Sequence, residues 1–220
     1  MSKMLTIALS KGKLLEPTLA LFAQAGFGGY VIEDDDRRLI WENPKTGHRL
    51  LIVRPSDVPA YVEHGAADIG VVGKDVLLEQ NPDVYEPVDL GLGGCKLVVA
   101  KPKGQMSYQR LSSKLRVATK YPNMTERYFN QLGLPVEIIK LYGSIELAPL
   151  VGLADRIVDL VSTGKTLKAN NLEEEDLIAW STARLIVNRA SMKMKHDVVH
   201  HLIDRVKKSL GKQSSKGTRG

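Results

Sequence analysis

Residues 146–167 read ELAPLVGLADRIVDLVSTGKTL, and this stretch decides the fold because a short apolar strand in it runs into a hydroxyl-rich turn and then a helix. Ile157, Val158, Leu160 and Val161 are β-branched or aliphatic and read as a buried strand. Asp159 interrupts them with a charge that an apolar interior does not tolerate without partners. Its carboxylate is therefore expected at the end of the sheet or against a polar ligand. Beyond the strand, Ser162, Thr163, Gly164, Lys165 and Thr166 supply hydroxyls, an ammonium and backbone N–H groups on a glycine-containing turn, which opens a helix over 167–170. Such a turn is a nest for an anion. A carboxylate beside that nest would repel a phosphate unless it faced something else, and the vicinal hydroxyls of a ribose are suitable donors to it. Phosphate on one side and ribose on the other describe a ribose 5-phosphate.

Two other readings of the turn carry less. A Walker P-loop needs glycine five residues before Gly164, where the chain has Asp159. An edge strand ending in a turn would use Ser162 or Thr163 only to cap the next helix.

Outward from this stretch, strands and helices alternate. The pattern predicts a strand over 5–9, the basic loop SKGK, and an amphipathic helix over 14–25 closed by Gly26. Paired strands are expected at 38–42 and 48–53 around the turn NPKTG. A helix over 56–64 would be capped by Ser56 or Asp57, a buried strand follows at 69–72, and a helix opens at Gly73–Lys74 and stops at Asn81–Pro82. Strands at 84–90 and 96–100 flank Gly91–Gly94, read as the crossing point into a second lobe. That lobe repeats the alternation: strand 115–118, helix 123–132 ended by Gly133, strand 136–140, and a helix over 144–150 with Glu146 in its first turn. Residues 175–188 then run back into the first lobe, where a terminal helix covers 193–210. The expected division is 1–93 plus 181–211 for lobe I and 94–180 for lobe II, with 212–220 a disordered basic tail.

Composition bounds the function. The chain has 220 residues, 43% hydrophobic and 25% charged, a net charge of +6, and an isoelectric point near 9.3. That length accommodates one large or two small cores. No apolar run reaches the roughly 20 residues of a membrane span, and LTIAL near the N-terminus is too short for a signal-peptide core, so a cytoplasmic protein is expected. A single cysteine, Cys95, excludes an internal disulfide and is read as a small buried residue opening a strand. The positive charge suits nucleic acid or highly anionic small substrates. With three Phe and two Trp and no aromatic-interleaved basic stripe, the chain offers bases little to stack on. His48, His64, His196, His200 and His201 show no metal-ligand spacing. No Ser-His-Asp or Cys-His arrangement is visible.

The positions Glu146, Gly152, Ala154, Asp155, Ile157, Asp159, Leu160, Thr163, Gly164, Thr166 and Leu167 together resemble the signature of ATP phosphoribosyltransferase. The likeness extends over roughly residues 4 to 210, through TIALSKGKLLEPTLALF, RPSDVPAYVEHGAADIGVVGKDVL, VATKYPN and KLYGSIELAPLVG. It implies an α/β fold of the two-lobed type II periplasmic-binding-protein kind, with two crossovers between the lobes and the ligand between them. It also implies transfer of phosphoribosyl from 5-phosphoribosyl 1-diphosphate to N1 of ATP in histidine biosynthesis, with Mg2+ held mainly by substrate phosphates rather than by a protein metal site. The matched signature assigns the 5-phosphate to Ser162, Thr163, Gly164, Lys165 and Thr166, and the ribose hydroxyls to Asp159 with Asp155 or Glu146 assisting. Lys11, Lys13, Arg37 and Arg54 are basic residues just outside predicted strands and are candidates for the diphosphate. By resemblance Lys13 sits near the leaving group, Arg37 reaches a neighbouring subunit's site, and Arg54 and Asp68, with Gly73, meet the ATP moiety. Lys13, Arg37 and Asp159 are the catalytic candidates. The chain resembles the short form, which has no regulatory histidine-binding domain, and this implies a homodimer that joins a histidyl-tRNA-synthetase-like subunit. A non-catalytic binding module of the same fold and a basic nucleic-acid-binding protein are the alternatives.

Overall fold

The computed structural model describes residues 4–30, 32, 38–107 and 114–217. The chain divides into two compact units: Met1–Leu77, Asn81–Gly93 and Thr182–Gly220 in the first, and Leu78–Gln80 with Gly94–Ser181 in the second. The second unit therefore takes Ser181 and Leu78–Gln80 in addition to the expected 94–180.

In the first unit, β1 (Thr6–Ser10) lies parallel to β3 (Arg49–Val53) and β4 (Ile69–Gly73). The edges are closed by β2 (Ile40–Glu42), antiparallel to β3, and by β11 (Ala183–Val187) and β5 (Tyr85–Asp89), giving the order β2-β3-β1-β4-β11-β5. The period-2 alternation of a strand sorts its side chains between two cores. Ile7 and Leu9 join Leu21, Phe22, Val199 and Leu202 on one face, under α1 (Leu15–Gln24) and α8 (His196–Gly217). Ala8 joins Val58, Val62 and Leu77 on the other, under α2 (Val58–Glu63) and α3 (Lys74–Gln80). Gly70 lets α2 approach the sheet, since a Cβ there would sit 2.8 Å from Val58 Cγ1 and 2.8 Å from Val62 Cγ2.

In the second unit, five strands are ordered β10-β6-β9-β7-β8, from β6 (Cys95–Pro102), β7 (Leu115–Thr119), β8 (Val136–Lys140), β9 (Arg156–Val161) and β10 (Leu172–Ser181). β7 lies parallel to β8 and β9. Leu97, Val99, Val117 and Val158 pack with Phe129 under α4 (Pro122–Gln131), while Val98, Ala118 and Ile157 face Ala148 of α5 (Leu147–Leu150) and Leu167 of α6 (Lys165–Ala169).

Several local expectations change. Neither Ser56 nor Asp57 caps α2: Ser56 Oγ donates to Asp57 Oδ1 instead, and Arg54 O accepts the N–H groups of Asp57 and Val58. The stretch 175–188 is two strands broken at Thr182, and β10 starts earlier, at Leu172, with register shifts between Glu174 and Asp176 and between Leu177 and Ala179. The terminal helix is two helices, α7 (Arg189–Met194) and α8. Asn188 starts α7 by accepting the Ser191 N–H at 2.9 Å. The break at Lys195 coincides with its Nζ donating to Met4 O at 3.0 Å and Asp68 Oδ2 at 2.7 Å. Residues 212–217, expected as tail, continue α8. Cys95 does open a strand but is only half-buried, with Sγ 3.8 Å from Ser181 O.

Candidate functional site

Parallel strands collect their connecting loops, and with them ligands, at their C-terminal ends. In the second unit that edge carries Lys120 after β7 and Ser162–Thr166 after β9, and Asp159 lies two residues before the end of β9. Thr119 pairs with Val158, so Lys120 lies beside Asp159 on the neighbouring strand. Asp159 Oδ1 accepts the N–H of Leu160 at 2.8 Å. No described residue donates to its other oxygen. Burial raises the Asp159 carboxyl above its ordinary value; the Leu160 N–H opposes this, the Glu146 carboxylate adds to it, and Lys120 opposes it. Glu146, the residue at the N-cap of α5, is half-buried. Two acidic groups and one ammonium thus share an edge with a hydroxyl-bearing turn.

Gly164 takes the left-handed conformation, φ +72°, at the N-cap of α6. A Cβ there would meet nothing closer than 4.0 Å, so the glycine answers a backbone demand rather than a close approach. Ser162, Thr163, Lys165 and Thr166 are exposed, and Gly164 is half-buried. Gly164 O accepts from Lys168 N at 3.1 Å, and Thr166 O accepts from Asn170 Nδ2 at 2.9 Å. Among the described residues none accepts a hydrogen bond from the N–H groups of Ser162, Thr163 or Gly164.

Asp155 departs from its expected role. It sits before β9, at the opposite end of that strand, and Arg116 binds it through its backbone N–H at 2.9 Å and through Nη2 at 3.1 Å. Burial alone would raise this carboxyl, but the hydrogen bonds from the Arg116 side chain and backbone hold it below its ordinary value. The sequence pattern that includes Asp155 therefore mixes a strand-start ion pair with a strand-end site.

In the first unit, Lys11 and Lys13 follow β1, Arg54 follows β3, and Gly73 ends β4. Ser10 pairs with Val53, so Lys11 and Arg54 are the first residues beyond two adjacent strand ends. Lys11, Lys13 and Arg54 are all exposed. Asp68 is not with them. It precedes β4 at the N-terminal edge, buried, accepting from Thr6 N at 2.8 Å, Lys195 Nζ at 2.7 Å and Ser191 Oγ at 2.6 Å. A carboxylate so occupied ties β1 and β4 to α7 and to Lys195, which joins α7 to α8, from the edge opposite Lys11 and Arg54. Arg37 lies outside the described residues.

Among the described residues, no group of three or more His, Cys, Asp or Glu side chains could hold a metal ion. His196 and His200 stack at 3.9 Å on α8. Lys120 was missed in the sequence, although a basic residue just outside an apolar strand was the very signal that selected Lys11 and Arg54. The buried Arg156 was missed as well. It pairs with Glu175 at 2.6 Å and donates to Gln105 Oε1 and Asp155 O, and so fixes the start of the site-bearing strand.

The family profile of HisG, ATP phosphoribosyltransferase, matches residues 54–208. The chain belongs to the ATP phosphoribosyltransferase family. It is 54% identical to the ATP phosphoribosyltransferase of Syntrophotalea carbinolica over 97% of this chain and 99% of that one. It is also 54% identical to that of Geobacter metallireducens, over 96% and 100%. An ATP phosphoribosyl transferase (HisG:HisZ) complex from Thermotoga maritima superposes with a TM-score of 0.82 at 37% identity, covering 94% of this chain and 99% of that chain. The fold is thus the type II periplasmic-binding-protein-like fold, and the chain is a glycosyltransferase of the pentosyl class acting in histidine biosynthesis. No helix among the described residues is long and apolar enough to cross a membrane.

Proposed function

We propose that the strand-end edge of the second unit holds the phosphoribosyl group and that the basic edge of the first holds ATP and the diphosphate. The observation that carries this is Asp159: a half-buried carboxylate with a free oxygen, on the same strand as an exposed Ser-Thr-Gly-Lys-Thr turn. The turn's N–H groups and hydroxyls suit the 5-phosphate. Asp159, with Glu146 beside it, suits the ribose hydroxyls, and donation to Asp159 offsets the cost of burying its charge. Lys120 balances the two carboxylates and is added to the set. Lys11, Lys13 and Arg54, with Gly73 giving backbone access, suit the diphosphate and nucleotide.

In the reaction, N1 of the adenine forms a bond to C1 of the ribose as the bond from C1 to the diphosphate oxygen breaks, and that oxygen keeps the electron pair. Positioning both reactants and stabilising the departing charge are what the protein supplies. Mg2+ favours oxygen ligands and retains waters, so the substrate phosphates are its natural ligands, with Glu146 and Asp159 the compatible carboxylates at this edge. Bound there, it would neutralise charge on the leaving diphosphate.

The likeness to the HisG:HisZ complex supports a hetero-oligomer for this chain as well; a homodimer at its centre and a cytoplasmic location are part of the same proposal. The test is absorbance-monitored turnover of ATP with 5-phosphoribosyl 1-diphosphate and Mg2+, with pyrophosphatase present to prevent reversal. Turnover supports the reading. Neither turnover nor binding of the sugar donor would sink it, while binding without turnover would place the missing activity with a partner subunit.

A further inference from the structure

A cavity of about 480 Å3 opens on the first unit, lined by Gly26, Phe27, Thr46, His48, His201 and Arg205 among others. It lies at the end of the sheet where β1 and β3 begin, whereas Lys11 and Arg54 follow their other ends. A five-residue strand separates the two edges by about 17 Å. None of the roles assigned above uses this cavity.

The polar groups lining it are arranged as donors. His48 is 8% exposed, and its Nδ1 accepts the N–H of Leu5 at 3.1 Å. The ring proton therefore resides on Nε2, and no described residue accepts it. Burial holds the His48 pKa below its ordinary value, Asp68 opposing and Lys195 reinforcing, so the ring is a neutral donor at pH 7. Arg205 Nε is tied to Ala25 O at 2.9 Å, which orients the guanidinium, and no described carboxylate pairs with it. Gly26, at φ +87°, keeps that position open: a Cβ would lie 3.3 Å from Arg205 Nη2. Thr46 Oγ1 accepts the N–H of His48 at 3.3 Å and keeps its own proton to donate. No Asp or Glu lines the cavity.

The walls are flat. Phe27 stacks on His48 with centroids 5.5 Å apart and rings 15° from parallel, and it meets His201 at 6.0 Å and 53°. An oriented guanidinium favours a planar two-oxygen anion, and aromatic faces favour a flat body.

We propose that this cavity is a second ligand site, for a carboxylate carried on an aromatic or similarly flat ring, separate from the edge that holds the substrates. The carboxylate would take the Arg205 fork and the His48 Nε2–H, and the ring would lie against Phe27 and His201.

The experiment titrates benzoate into the full chain while the His48 and His201 imidazole signals are followed by NMR, with neutral benzamide as the control. Benzoate should shift both rings saturably with a Kd on the order of 1 mM. Benzamide and the Arg205→Gln chain should each bind about tenfold more weakly or worse, the loss expected when a charge-assisted pair is removed. If Arg205→Gln melts early, His201→Ala provides the second comparison, weakening benzoate while the His48 signal still reports a folded unit. Absence of a saturable shift, equal binding of benzamide, or full affinity in a folded Arg205→Gln chain would overturn the proposal.

Discussion

Asp159 is held in an environment that disfavours its charge, and that cost is the clearest residue-scale trace of a ligand. Its raised pKa means the folded chain binds the proton more tightly than the unfolded chain does. Stability is therefore greatest below the ordinary carboxylate range and falls as pH rises through it towards the raised folded value. Asp159→Asn removes that penalty. The variant should melt at an equal or higher temperature than the parent at pH 7, with the difference closing below about pH 4, while kcat/KM falls about 10- to 100-fold. Calorimetry across pH and steady-state turnover check the two halves separately. Lys120→Ala should raise KM for the sugar donor about 10- to 100-fold, the loss of one charge-assisted contact of about 1.5–3 kcal/mol. Asp68 sets the opposite expectation. Asp68→Ala leaves Ser191 Oγ and the Thr6 N–H without this acceptor and Lys195 without its counter-charge, and should cost about 3 kcal/mol in urea unfolding with KM for ATP little changed. A large rise in KM for ATP with unaltered stability would return Asp68 to the nucleotide.

At the scale of elements, what could be read from the sequence was what each segment determines by itself. The apolar run Ile157–Val161, the left-handed Gly164 and the strand-end basic residues are local signals, and the strand and turn they predicted are present. Contacts between distant segments were not legible. Glu79 caps α4 by accepting the N–H groups of Asn123 and Met124, each at 2.9 Å, where the N-cap residue Tyr121 supplies no side-chain cap. Asp68 and Asp155 were assigned to ligands by resemblance, and only the parallel register reveals that they precede their strands while ligands gather after them. Thr182 likewise breaks a run whose composition is continuous across it. The close approach of α2 to the sheet is another non-local fact. Gly70→Ala forces a Cβ against Val58 and Val62, and should destabilise by about 1–3 kcal/mol in urea unfolding without altering KM for either substrate.

Over the whole molecule, alternating strands and helices with two returns of the chain were visible in the sequence, because periodicity and glycine placement set them. The net charge of +6 gained its meaning only from the distribution of the site residues: basic groups at one strand-end edge, and a mixed acidic and hydroxyl set at the other. Substrates carrying several phosphates are steered by such a field, so KM for the sugar donor should rise as salt increases past about 0.15 M, where the Debye length falls to about 8 Å. Everything proposed for the second unit depends on paired recognition, of phosphate by Ser162–Thr166 and of ribose by Asp159. Calorimetric binding of ribose 5-phosphate and 2-deoxyribose 5-phosphate to the parent chain and to Asp159→Asn tests it most directly. The parent should prefer the ribose form, and Asp159→Asn should lose the preference while still binding the phosphate. Equal binding of both sugars by the parent, or an undiminished preference in Asp159→Asn, would contradict it.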